Sequence, residues 1–196
     1  MITVIEENPE SNSIEISNEF LALGKGEIIL KGMNNRVHIE RPHYIRSFSA
    51  TLCGEASLSI GHTSTILGMH MAILAPGSVR IGSKFSSNVN CHVNINETAN
   101  ICIGDECLFG PDVTLACSDS HKIIDIETGT RINEPQDIRI GDKIWLAARV
   151  SVWKGSKIGN GSIVGFGSFV NSEIPESALV AGTPARVIRH GVRWEQ

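Results

Sequence analysis

Few side chains in this sequence could do acid–base or metal chemistry. There are seven histidines (His38, His43, His62, His70, His92, His121 and His190) and five cysteines (Cys53, Cys91, Cys102, Cys107 and Cys117). His38 and His43 stand in H-x4-H spacing but have no third partner at a suitable distance in sequence, so no metal site is expected. The cysteines are odd in number and form no CxxC pair. Three of them occupy positions that suit small buried residues, so they read as reduced thiols. His121 stands apart, because it ends the run Ser118-Asp119-Ser120-His121 at the start of a polar stretch. An imidazole with its ordinary pKa of about 6.5 can take the proton of a hydroxyl as that hydroxyl attacks a carbonyl. By residue type alone, His121 reads equally well as an exposed loop histidine. Asp119 could orient its ring or simply form a turn.

What positions these residues is a repeat. From Ile140 onward an aliphatic residue recurs every six positions: Ile140, Leu146, Val152, Ile158, Val164 and Val170. A small residue follows in four cases (Gly141, Ala147, Gly159, Gly165), and a second small or apolar set lies four positions after each aliphatic (Ile144, Val150, Ser156, Ser162, Ser168, Ile174). A period of six fits neither a helix nor a hairpin meander. It fits short strands separated by corners, with three faces closing a triangular coil in 18 residues, so that Ile140 stacks on Ile158 and Leu146 on Val164. Each coil adds about 4.8 Å to a prism filled by aliphatic ladders. Glycine after the aliphatic is expected because the corner needs a backbone that most side chains resist.

Ile103, Phe109 and Leu115 keep the period upstream, while Ile60-Gly61 and Ile81-Gly82 echo it off register, so the early coils must carry insertions. Residues 28–39, around Gly32-Met33-Asn34-Asn35, are expected to form the first coil, within a β-helix domain spanning 24–189. Residues 1–23 are read as an edge strand or cap and 190–196 as a tail. The stretch 117–137 has no repeat and carries turn residues and one proline. A long irregular excursion inside a compact fold tends to be functional.

Composition narrows the classes further. With 41% apolar and 19% charged residues the chain is globular, and a formal net charge of −4 without a basic block excludes a nucleic-acid binder. No apolar run approaches ~20 residues, and the acidic start MITVIEENPESNS is unlike a signal peptide, so a soluble cytoplasmic protein without membrane insertion is expected.

The segments IGDECLFGPDVTL, SDSH, IRIGDKIWLAARV, KGSKIGNGSIVGFGSFV and IPESALVAGTPARVIR together resemble the hexapeptide-repeat acyltransferases. They are similar to the galactoside and maltose O-acetyltransferases and to the O-acetyltransferases of capsule and O-antigen sugars. The resemblance runs from about Ile81 to Arg189. It implies an all-β fold, a left-handed parallel β-helix, assembled as a homotrimer with active sites between subunits. The hand is implied only by the resemblance, since parallel crossovers are ordinarily right-handed.

The resemblance also implies roles. His121 matches the family's general base. Asn88 matches an asparagine that contacts the acceptor, and an amide that both donates and accepts suits sugar hydroxyls. Trp145, read as occupying a corner that most repeats fill with a small residue, matches a tryptophan beside the CoA and acceptor sites. Trp153 points outward and is given no chemical role. The pantetheine arm of acetyl-CoA is expected to pass Ala147, Ala148, Gly165 and Phe166 and then the Gly182 turn, with Arg186 and Arg189 facing its phosphates. Phe166 departs from the family pattern, where alanine is common, and Asn171 stands where threonine is common. The function implied is transfer of acetyl to a sugar hydroxyl, of a surface polysaccharide or its precursor. The alternatives are N-acetylation of an amino sugar and a catalytically silent scaffold.

Overall fold

A computed structural model of the chain describes residues 1–195, apart from the side chains of Thr63 and Ser64. Its strands form three sheets of eight strands each, and the chain visits the three in turn. The result is a left-handed parallel β-helix. The first face contains strands Cys91–Ile95, Thr114–Ala116 and Ser151–Trp153; the second contains Ala99–Ile103, Ile138–Ile140 and Lys157–Ile158; the third contains Leu108–Phe109, Trp145–Leu146 and Ile163–Val164.

The expected ladders lie inside the prism. Ile140 pairs with Ile158, Leu146 with Val164, and Val152 with Val170, and all six are buried. Ser156, Ser162 and Ser168 fill the tight corners, where their hydroxyls donate to backbone carbonyls. Each of these serines is therefore small enough to fit and polar enough to satisfy a buried acceptor.

The early coils are longer than the late ones. Ile39, Ile60, Ile81 and Ile103 stack in register, 21 or 22 residues apart. The extra length sits in the strands: Met69–Ile73, Gly77–Ile81, Cys91–Ile95 and Ala99–Ile103 have five residues each, against two or three in later coils.

Residues 28–39 are not the first coil. Strand Ile2–Glu6 pairs with Lys25–Lys31, and Ser13–Ile16 pairs with Arg36–Ile39, so Val4 sits on Ile28 and Ile16 on Ile39. The helix Asn18–Leu23 takes the third side, with Phe20 buried edge-on against Phe48 and the Ser17 hydroxyl capping its N-terminus. An end coil has a neighbour on one side only, so it tolerates the polar residues that disguised it.

The glycines of the second-to-third corner have a different cause from the one expected. Gly82, Gly104 and Gly141 do not take left-handed backbone; that role falls to Lys84, Glu106 and Lys143, with φ of 56°, 58° and 55°. The glycines instead leave room for a carboxylate or amide of the following coil. Asp105 Oδ1 accepts from the Ser83 amide, Asp142 Oδ1 from the Asp105 amide, and Asn160 Oδ1 from the Asp142 amide. A Cβ on Gly104 would stand 2.2 Å from that Asp142 oxygen. The Gly-Asp pairs are thus a hydrogen-bonded ladder up one edge. At the far end the chain reverses, and Ala185–His190 runs antiparallel to Ala178–Gly182.

Candidate active site

The two chemically suggestive regions emerge from different corners. At the third-to-first corner, parallel pairing stacks Asn88, Gly110, Ala147, Gly165 and Ala181. The amide of Asn88 donates to Phe109 O, that of Gly110 to Leu146 O, that of Ala147 to Val164 O, and that of Gly165 to Val180 O. Ala148 and Phe166 follow in the next column, and Gly182 and Thr183 close it, with the Thr183 hydroxyl near Gly167 O. The expected small residues therefore form one continuous edge, about four strand spacings or ~19 Å long. A Cβ on Gly110 would lie 2.7 Å from the Ala148 nitrogen, and one on Gly165 would lie 3.0 Å from Ala181 Cβ. The narrowness of this edge is built into its packing.

Asn88 is exposed at one end of that edge. Its Oδ1 accepts from the Val89 amide, and its Nδ2 has no protein partner among the described residues. Asn90, two residues on, takes left-handed backbone and donates its amide to Asp112, which marks it as a corner residue. At the other end Arg186 pairs with Ala181, beside Gly165, while Arg189 pairs with Leu179, further back over the third face. The structure thus sets Arg186 at the edge and Arg189 off it. Arg149, which the sequence reading passed over, lies on the edge itself. Its guanidinium sits 5.5 Å from the Phe166 ring centre and has no carboxylate partner among the described residues. Phe166 is 65% exposed and so projects from the edge instead of filling it.

Trp145 is on the flat third face, not in a corner. It pairs with Leu108 and Ile163, is 38% exposed, and lies two residues before Ala147. The tail returns over it: the Trp194 indole donates to Lys143 O at 2.6 Å, and its ring centre is 6.4 Å from that of Trp145.

His121 leaves from the first-to-second corner, across the full width of the first face. The excursion 117–137 is an ordered arm. Its base is closed by the Gln136 amide on Cys117 O, and a bridge joins Ile124 to Arg131 near its tip. Arg131 makes a two-pronged ion pair with Glu97, at 2.6 and 2.9 Å, tying the arm to the prism. The His121 ring is exposed and makes no hydrogen bond among the described residues, while its carbonyl accepts from Asn133. Asp119 makes no hydrogen bond to the ring. Its Oδ1 accepts from the Trp153 indole at 2.9 Å, and its Oδ2 from Lys154 and from Asn133. The Lys154 ammonium, with the other two donors, holds the carboxyl down at about 2.

Trp153 therefore points outward, as expected, but it is engaged with the arm. Its bulk at a position usually small was the one sequence signal of this; nothing in the sequence marked Lys154 or Asn133. Burial pushes Cys91 up to about 11 and Cys107 and Cys117 up to about 12, which keeps them as thiols within the core. Among the described residues no group of three or more His, Cys, Asp or Glu is arranged to hold a metal ion. No helix among them is long and apolar enough to cross a membrane.

The comparisons fit this architecture. The WbbJ protein of Escherichia coli K12, named for O-acetyl transfer in lipopolysaccharide biosynthesis, is 30% identical over 162 residues, covering 77% of each chain. The chain belongs to the hexapeptide-repeat acetyltransferase family. Within that family, the crystal structure of the polysialic-acid-specific acetyltransferase NeuO superposes on all of this chain and 85% of its own, with a TM-score of 0.84 at 26% identity. The Vibrio cholerae hexapeptide-repeat acetyltransferase VCA0836, solved with acetyl-CoA, covers 69% of this chain and 70% of its own, with a TM-score of 0.56 at 27% identity. Against several other curated relatives, polysialic acid and galactoside O-acetyltransferases among them, the chain spans only a third to about half of their length. No protein-family profile matches the chain.

Proposed function

We propose that the protein transfers acetyl from acetyl-CoA to a hydroxyl of a sugar, in a surface polysaccharide or its precursor, with His121 as general base. The observation that carries this reading is the pairing of a continuous small-residue edge with an exposed histidine on an ordered arm. Both occur in a chain whose relatives are named for O-acetyl transfer to saccharides. Acetyl-CoA fits the edge. The half-buried small residues Ala147, Ala148 and Gly165, with the exposed Gly182, suit a long neutral arm, and Arg149 and Arg186 supply cations along the same edge.

The chemistry follows from these parts. Asn88 and Trp145 hold and orient the acceptor sugar, one by an amide and the other by an exposed indole face. Nε2 or Nδ1 of His121 takes the proton as the hydroxyl oxygen bonds to the thioester carbon. The C–S bond breaks as the carbonyl reforms, and the imidazolium can return its proton to the departing thiolate.

The reading further holds that the active unit is a homotrimer. His121 and the Ala147 edge lie on different corners of one prism, so an arm from one copy would have to reach the edge of the next. Four isoleucines exposed on the arm, with Ile126 at 99%, support such a contact. Replacing His121 with alanine should lower turnover at least ~100-fold, the usual scale of general-base effects, in a protein that remains folded. Release of free thiol from acetyl-CoA, measured across a panel of neutral, acidic and amino sugars, tests this and the acceptor together. A preference for amines with little dependence on His121 would favour N-acetylation instead.

A further inference from the structure

We infer that Asp119, Trp153, Lys154 and Asn133 form a clamp that positions His121, and that Asp119 serves as the anchor of the arm instead of the partner of the imidazole. The inference rests on the His121 reading above. Both carboxylate oxygens of Asp119 are occupied: Oδ1 by the Trp153 indole at 2.9 Å, Oδ2 by the Lys154 ammonium and by Asn133 Nδ2 at 2.8 Å. Trp153 and Lys154 belong to the coil below the arm, so Asp119 ties the arm to the rigid prism. The Trp153 ring is itself backed by Phe169, with ring centres 6.0 Å apart.

Asn133 carries the constraint onto His121. It is buried, and every polar atom of its side chain is used. Nδ2 donates to Asp119 and to the His121 carbonyl at 2.8 Å, while Oδ1 accepts from the Ile123 amide at 2.7 Å and from Arg131 Nε at 3.2 Å. Its carbonyl accepts from Lys154 at 3.1 Å and from Arg131 at 3.2 Å. On the near side, Ser120 holds left-handed backbone with φ of 62°, and its hydroxyl accepts from Asn96 at 2.8 Å. The chain is thus held at the Asp119 side chain and at Ser120 before His121, at the His121 carbonyl, and at the Ile123 amide two residues after it. Only the two side-chain torsions of the histidine remain free. A base fixed in this way needs no carboxylate on its ring to be aimed. A displacement of about 1 Å at a reacting group is enough to cost ~100-fold in rate.

The test uses Trp153→Phe, which keeps a ring against Phe169 but removes the indole N–H, and Asp119→Asn. The conservative Lys154→Arg serves as the variant that should retain the clamp. Three quantities are read on the full chain: kcat and KM for acetyl-CoA, hydrogen exchange at the Ile123 amide, and the pKa of the His121 imidazole by NMR. Expected for Trp153→Phe and Asp119→Asn are a kcat lowered about tenfold or more with KM for acetyl-CoA unchanged. Exchange at Ile123 should accelerate about tenfold or more, the His121 pKa should stay in place, and Lys154→Arg should stay near wild type. A His121 pKa that falls by about a unit in Asp119→Asn would make Asp119 the ring's partner and overturn the inference. Exchange and kcat both unchanged in a folded Trp153→Phe would overturn it as well. The base assignment fails separately: an active His121→Ala variant would sink it, while the exchange and NMR results would still decide the clamp.

Discussion

The third-to-first corner and the first-to-second corner of this prism achieve order by opposite means. The first is defined by what its side chains lack: Gly110, Ala147, Ala148 and Gly165 form a half-buried, straight edge without bulk, and the stacking of coils alone fixes its geometry. The second breaks the stack with an arm of some twenty residues, held by polar side chains on Asp119, Asn133 and Glu97. A repeat can present an extended ligand groove at no cost beyond small residues. Its own exposed histidines, such as His70 and His92, stay against a flat face; to carry one away from the prism the chain leaves the repeat and supplies a separate hydrogen-bonded scaffold.

If the two corners meet only between copies, each can be disabled separately and restored by mixing. Ala147→Trp, which fills the edge, and His121→Ala should each be nearly inactive alone. Refolded together in equal amounts, they should recover roughly a quarter of wild-type turnover, the statistical share of sites with both halves intact in a closed ring of copies. Recovery no greater than the sum of the two variants would mean that both halves act within one chain. A second prediction probes how tightly the edge is packed. Gly110→Ala should lower stability by about 1–3 kcal/mol, because the added methyl meets the Ala148 backbone; a thermal midpoint within a degree of wild type would contradict this.

The smallest effect concerns pH at the opposite corner. Asp119 is depressed from its ordinary 3.8 to about 2 by Lys154, Trp153 and Asn133. A depressed carboxylate stabilises the folded state fully above its unfolded value and loses that contribution as pH falls toward the folded value. The difference in thermal midpoint between wild type and Asp119→Asn should therefore be constant from pH 7 to 5 and shrink only below about pH 4. A difference that declines between pH 7 and 5 would assign the effect to another group.

The fold was legible where the coils are short. From Ile140 to Val170 every expected stacking pair is present, because an 18-residue coil prints its period directly. The coils of 21 or 22 residues obscured theirs, since lengthening two strands by a pair of residues keeps the inward alternation and breaks the count. The first coil was hidden by polarity at an end that solvent covers. Gly104 was recognised as a corner residue for the wrong reason, because the carboxylate it accommodates comes from Asp142, far along the chain.

At the site, the edge from Ala147 to Gly182 was readable, being a property of the repeat. Trp145 was assigned to a corner but lies on a face, since its strand has only two residues and the corner starts immediately after. The clamp was out of reach. Asp119, Asn133 and Trp153 are 34 residues apart at the extremes, and no local pattern joins them.

The antiparallel turn of Ala185–His190 has a consequence beyond the site it borders. A parallel coil ends in an unpaired rim at each extremity, and matching rims invite one molecule to continue another as a fibre. Reversing the last strand presents a neighbour with a mismatched hydrogen-bond pattern, and the charged Arg186 and Arg189 stand on that same strand. At the opposite extremity the helix Asn18–Leu23 replaces a third rim strand altogether. On the third face, then, both rims end in something other than a further parallel coil: a reversed strand at one side and a helix at the other.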